Sequence, residues 1–300
     1  MCVLDVYSAL THLKQTNTKG LDGIDGKILK IAAPIIAESL TYIYNLCITK
    51  NIYPKTFKAA KVIPIFKCGD RLDPSNYRPI SILSILSKPL ECHINKYIMS
   101  HFNHFNLFHP NQSGFRANHS CHTALTNLID RWLINVNNNE ITGAVFVDFA
   151  KAFDVINHSL LLKKLKIYGL SHNTLKLMSS FLSERKQIVT DSGNKSALLA
   201  NNYGVPQGSV LGPILFSIYI NDLPLSVNSP CELFADDTTV HTSHSHLNDV
   251  YSALQDSIGQ LVEWSELNHM CLHPQKAKFF IITTRQKRQN LPVYSLSIYI

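Results

Sequence analysis

Three acidic side chains stand where strands should end. Asp148 closes the apolar run TGAVFVDF, and Asp236 and Asp237 sit together between CELFA and TTVH. A carboxylate ending a strongly apolar strand is exposed while the sheet holds its backbone rigid. Two such strands side by side would bring three negative charges close together, which is costly unless cations neutralise them. Hard divalent cations take oxygen ligands and leave room for water and substrate phosphates. The chemistry that fits is phosphoryl transfer with two metals, one activating an attacking hydroxyl and one stabilising a leaving pyrophosphate. Taken singly, each feature has a plainer reading: Asp236-Asp237 is an ordinary turn pair, and Asp148 can cap the helix that follows it.

The elements that must position these acids are readable from periodicity. Thr142–Phe149 reads as a buried strand, CELFADDTTVH as strand, turn and strand, and KFFIITT as a further strand. Pro206-Gln207-Gly208 opens an apolar helix, and Leu247, Val250, Leu254, Ile258 and Leu261 trace one face of a long one. Helices are expected around Leu160–Tyr168 and Leu175–Leu182, and KQIVT and SALLA should form a hairpin about Asp191-Ser192-Gly193-Asn194. Upstream, Ile28, Ile31, Ile35, Leu40, Ile43 and Leu46 predict a helix over Lys27–Thr49. Helices are also expected over Leu83–Phe102 and Cys121–Val136. Between them, Lys55, Lys58, Lys61, Lys67, Arg71 and Arg78 face only Asp70 and Asp73 in a hairpin-like basic segment. Its remaining charges, beyond any that bind ligand, should form a solvated or backbone-binding face.

Composition narrows the classes. In 300 residues, 45% are hydrophobic and 16% charged, enough apolar side chain for a folded core and too much for a disordered chain. Lys plus Arg exceed Asp plus Glu by 28 to 21, a net +7 that suits a polyanionic partner. Seven scattered cysteines without a CxxC pair suggest neither a disulfide framework nor a zinc ribbon, and favour a reducing compartment. The histidines around His119, Cys121 and His122, and around His241, His244 and His246, fit no closed zinc pattern and read as polar loop residues. The amino terminus lacks a secretory signal pattern. The most apolar stretch, Val210–Ile220, is about half the length of a bilayer span, so no membrane association is expected.

Six blocks occur in a fixed order. They are NYRPISILSILSKPLE at Asn76–Glu91, QSGFRANHSCHTAL at Gln112–Leu125, VFVDFAKAFD with FADD following it, GVPQGSVLGPILFSIYINDLP at Gly204–Pro224 between those two, and WSELNHMCLHPQKAK at Trp264–Lys278. Together, over about Lys55–Thr284, they resemble the reverse transcriptase domain of non-LTR (LINE-type) retrotransposons. The resemblance implies an α+β fold of fingers and palm with an antiparallel palm sheet. Residues 1–54 would be an amino-terminal helical extension of the fingers, and 55–300 the reverse transcriptase domain. The thumb should be largely absent, which fits a truncated copy.

By the same resemblance, Asp148, Asp236 and Asp237, with the Phe149 carbonyl, would hold two Mg²⁺ ions, Mn²⁺ being an alternative; Asp237 ranks below Asp236. Lys276 would donate a proton to pyrophosphate, with Lys278 close enough to compete for that role. Lys67 and Arg78 would grip the triphosphate, Gln207 and Gly208 would lie near the incoming nucleotide, and Phe153 would sit under its sugar and exclude ribose. Phe153 also reads as simple core packing, as does Trp264. Arg116 would contact the template. The implied partners are an RNA template, a DNA primer and deoxynucleoside triphosphates, in the nucleus or cytoplasm. Two other readings stay open: a truncated or repurposed nucleic-acid-binding protein without polymerase activity, and an RNA-dependent RNA polymerase.

Overall fold

The computed structural model describes residues 1–14, 18–191 and 193–289. Along the chain run α1 (Val3–Thr11), α2 (Gly26–Lys50), β1 (Ala59–Phe66), β2 (Tyr77–Ile82), α3 (Ser87–His104), α4 (Cys121–Asn137) and β3 (Ile141–Ala150). There follow α5 (His158–Ile167), α6 (His172–Leu182), β4 (Arg185–Asp191), β5 (Asn194–Lys195), β6 (Leu199–Asn201) and α7 (Leu211–Tyr219). The last group is β7 (Cys231–Phe234), β8 (Asp237–His244), α8 (Leu247–Leu267), β9 (Cys271–Leu272), β10 (Lys278–Ile282) and α9 (Arg285–Arg288). The fold is mixed α+β. It divides into two interleaved units, Met1–Phe105 with Asn157–Leu215, and Asn106–Ile156 with Phe216 onward. Residues 1–54 lie in the first unit, where the Tyr53 ring packs edge-on to Phe181 at 5.0 Å and Tyr44 Oη donates to the Leu86 carbonyl.

In the first unit β1 and β2 form an antiparallel hairpin in which Phe66 faces Tyr77 and Ile65 faces Arg78. On its other edge β1 pairs in parallel with β4, a long-range contact that no local pattern announces. The SALLA segment is only in part a strand. β4 closes on β5 through Thr190↔Lys195 and Asp191↔Asn194, and then pairs with β6 further back. Lys58 departs from the solvated basic face: it is 4% exposed, and burial pushes its ammonium below the usual lysine range. Among the described residues, helix α2, and not Val210–Ile220, is long and apolar enough, by length and composition alone, to cross a membrane. Its buried Leu29, Ala33, Ala37, Thr41 and Tyr44 pack it into this unit, whereas Ile28, Ile31, Ile35, Ile43 and Leu46, which predict the helix by their spacing, are exposed on its other side.

The second unit is built on an antiparallel sheet in the order β10-β3-β8-β7, with β9 pairing the end of β3. Strand side chains alternate between faces. Phe149 turns towards Trp264 of α8, which is 4% exposed and therefore core. Phe146 and His241 turn the other way and meet the Trp132 ring of α4 edge-on.

His241 is therefore a buried strand residue, not a loop histidine. Burial, with the Arg131 charge second, pushes its imidazole down to about 4 from 6.5. The unfolded chain takes up this proton near 6.5 and the folded chain does so only near 4, so stability falls as pH drops through that window. The expected loss is roughly 3 kcal/mol by pH 4. Denaturant midpoints measured from pH 7 to 4 should decline less steeply in His241→Leu; identical slopes would refute the assignment.

Candidate active site

β3 and β8 set the acidic centre. Their register places Asp148 directly opposite Asp237, so both side chains leave the same face of the sheet. Phe234 pairs with Asp237, leaving Ala235 and Asp236 as a two-residue hairpin turn. Ala235 takes φ 55°, a left-handed conformation that costs a residue with a Cβ about 1 kcal/mol or more. Asp236 is half-buried in this turn and Asp237 is exposed. Burial first, then the charges of Asp236 and Asp148, raise the Asp237 carboxyl above the usual range. Asp237 thus feels the negative charge of both other acids.

Lys276 lies in the single turn between β9 and β10, and its Nζ donates to Asp148 Oδ2 at 2.6 Å. The His273 amide donates to the Asp148 carbonyl at 2.8 Å, anchoring that turn to the end of β3. Lys278, the competing lysine, stands instead on β10 opposite Phe146. Among the described residues no three acidic, histidine or cysteine side chains close around one point. The oxygen donors present suit a cation that takes one or two protein carboxylates and completes its shell with substrate phosphates and water, as Mg²⁺ does.

Phe153 stacks on the fully buried Phe216 at 4.5 Å with 23° between the rings, and Phe115 meets it edge-on at 6.2 Å. Arg116 Nη1 donates to the carbonyls of His109 and Gln112, and the guanidinium lies 5.2 Å over the Phe108 ring. These contacts make Arg116 a brace for its own loop.

That loop holds the acidic Ala235–Asp236 turn, a contact the sequence did not disclose. The Leu233 amide donates to the Asn111 carbonyl and the Ser113 amide to the Leu233 carbonyl, so residues 111–113 run as a short parallel partner of β7. Gly114 lies so close to the backbone of Ala235 that a Cβ would overlap the Ala235 nitrogen, and its amide donates to Gln112 Oε1 at 2.7 Å. Glycine is needed here for close approach. Gly114→Ala should lower the denaturant midpoint by the equivalent of roughly 2–4 kcal/mol; an unchanged midpoint would disprove the clamp.

The other assigned residues belong to the first unit. Lys67 and Arg78 are exposed at the tip of the β1–β2 hairpin, where the Lys67 amide donates to the Asn76 carbonyl. Gln207 and Gly208 dock on the same hairpin: the Ser81 amide donates to the Gln207 carbonyl at 2.9 Å, and Gly208 takes φ 142° against the Ser81 carbonyl. β2 therefore carries Arg78 and seats the Gln207–Gly208 turn.

Residues 65–296 match the family described as reverse transcriptase (RNA-dependent DNA polymerase). The chain is 31% identical over 290 residues to a Drosophila melanogaster protein named as the probable RNA-directed DNA polymerase from transposon BS, covering 91% of this chain and 31% of that protein. It is 32% identical over 271 residues to the RNA-directed DNA polymerase from mobile element jockey of Drosophila funebris, covering 87% of this chain and 29% of that protein. The X-element transposon polymerase of Drosophila melanogaster is 29% identical over 290 residues, with 94% and 32% covered. The chain thus spans under a third of the length of these curated relatives. With its acidic strand ends in register and the family match over most of its length, the chain belongs to the reverse transcriptase family, in the branch carried by non-LTR retrotransposons.

Proposed function

We propose that the chain adds deoxynucleotides to a primer 3′-hydroxyl on an RNA template. The observation that carries this reading is Asp148 facing Asp237 across β3 and β8, with Asp236 in the adjoining turn. The second unit serves as the palm, and the β1–β2 hairpin belongs to the fingers. Asp148 and Asp236 are the principal holders of divalent ions, Mg²⁺ or Mn²⁺, with Asp237 and the Phe149 carbonyl as further oxygen donors. When bound, such ions lower the pKa of the attacking hydroxyl and offset the charge on the leaving pyrophosphate.

The chain's own residues do the remaining work. Asp148, which accepts from Lys276 Nζ, would be one of the residues to hold such an ion, and Lys276 would hold a proton at Nζ for the leaving pyrophosphate. Lys67 and Arg78 bind the triphosphate oxygens, Arg78 suiting that task through its planar fork of donors. Gln207 lines the base and sugar, and the rigidly stacked Phe153 ring excludes a ribose 2′-hydroxyl. The excess of positive charge neutralises template and primer phosphates, so affinity should fall with salt.

The deciding assay is extension of a DNA primer annealed to RNA, with Mg²⁺ and each triphosphate set in turn. Deoxynucleotide incorporation that a chelator abolishes is the expected result. No incorporation, or ribonucleotide incorporation at a comparable rate, would overturn the reading.

A further inference from the structure

Glu91 is a buried carboxylate that none of the chemistry above uses. It lies on α3 with no exposed surface, and isolating such a charge from water costs several kcal/mol unless donors surround it. Three do. Tyr53 Oη donates to Oε1 at 2.8 Å and Ser87 Oγ to the same oxygen at 2.7 Å, while the Val210 amide donates to Oε2 at 2.7 Å.

The third contact reaches out of the local core. Val210 immediately precedes α7, whose first amides have no partner within the helix and whose positive dipole end favours an anion. Ser209 Oγ accepts from the Gly212 amide, near the start of α7, at 2.8 Å, and itself donates to the Pro206 carbonyl. The turn Pro206–Ser209 is thus clamped at both ends, by Ser81 of β2 at Gln207 and by Glu91 of α3 at Val210.

We propose that Glu91 is a positioning residue for the incoming nucleotide. By holding Val210 it sets the angle at which the Pro206–Ser209 turn presents Gln207 and Gly208, and it takes no part in the chemistry at Asp148 and Asp236. The proposal rests on the reading of Gln207 and Gly208 as nucleotide contacts.

The test uses the full chain and its Glu91→Ala, Glu91→Gln and Glu91→Asp variants. Amide hydrogen exchange at Val210 and single-deoxynucleotide incorporation on an RNA template are both measured. Glu91→Ala should speed Val210 exchange about tenfold or more and raise KM for the deoxynucleotide about tenfold, with kcat within about threefold of the parent. Glu91→Gln keeps an acceptor for Val210 and can donate to the two hydroxyls, so it should restore both values to within about threefold. If Glu91→Ala does not fold, Glu91→Asp decides, since it retains the charge but withdraws it by one methylene. It should raise KM about fivefold.

Unchanged KM in the alanine or aspartate variant, a fall in kcat alone, or equal behaviour of the alanine and glutamine variants would overturn the proposal. If the parent chain incorporates nothing, the polymerase reading fails and takes the nucleotide role with it. That outcome is seen in the parent, whereas failure of the Glu91 assignment is seen only in the variants.

Discussion

Asp236→Ala should reduce RNA-templated primer extension by about three orders of magnitude or more while leaving the protein folded. The size follows from the role: each tenfold loss in rate is about 1.4 kcal/mol of transition-state stabilisation, and a metal-holding carboxylate supplies several kcal/mol. The direction of the stability change separates this from general damage. The Asp237 carboxyl is raised by burial and by the charges of Asp236 and Asp148, so removing one of the three relieves repulsion. The variant should melt at the parent's temperature or slightly above it at low salt, with the gap narrowing as salt rises. A dead variant that melts well below the parent would indicate a structural role for Asp236, and an active one would sink the proposed chemistry.

Gly208→Ala should be the most damaging change in the first unit. At φ 142° an alanine is strained by its own backbone, and its Cβ would also overlap the Ser81 carbonyl oxygen. The overlap is with backbone, which cannot swing aside as a side chain can, so β2 or the Pro206–Ser209 turn has to move. Together these effects should cost roughly 2–4 kcal/mol of stability. Because β2 carries Arg78 and seats Gln207, KM for the deoxynucleotide should also rise about tenfold or more. The check is a denaturant curve beside nucleotide saturation kinetics. Parent-like values in both would show that the turn is not seated as described.

Much of the scaffold was legible because it is local. The run GAVFVDF, the strand–turn–strand of CELFADDTTVH and the 3.6-residue stripe of Leu247 to Leu261 each state their own period, and they appear as β3, β7–β8 and α8. The helix expected over Lys27–Thr49 appears as α2 with Asp25 capping it at one end and Asn51 in the left-handed conformation at the other. Less was legible where an apolar segment has two possible uses. SALLA has strand-like composition, yet β4 is paired by β5 at the tip and by β6 farther back, which leaves most of it outside the ladder.

The candidate site divides in the same way. The residue types named from the sequence lie where strands, turns and hairpin tips present them. Their relations come from contacts between residues far apart in the chain, Lys276 rather than Lys278 on Asp148 and Gly114 beneath Ala235, whereas Arg116 braces its own loop through near neighbours. Lys58 and His241 were misread for a related reason. A polar residue in a mixed pattern reads as solvated, and only the tertiary fold buries Lys58, and buries His241 beside Trp132.

The sequence by itself determined which residue types stand at strand ends and turns and most of the secondary structure, since apolar runs, turn residues and helical stripes depend on neighbours a few residues away. Only the tertiary structure decided register, partner and strain. It set Asp148 opposite Asp237, joined β1 to β4 in parallel, and buried the Glu91 charge beneath the turn that carries Gln207. Those choices are settled by burial and by hydrogen-bond satisfaction across long loops, and nothing local in the sequence records them.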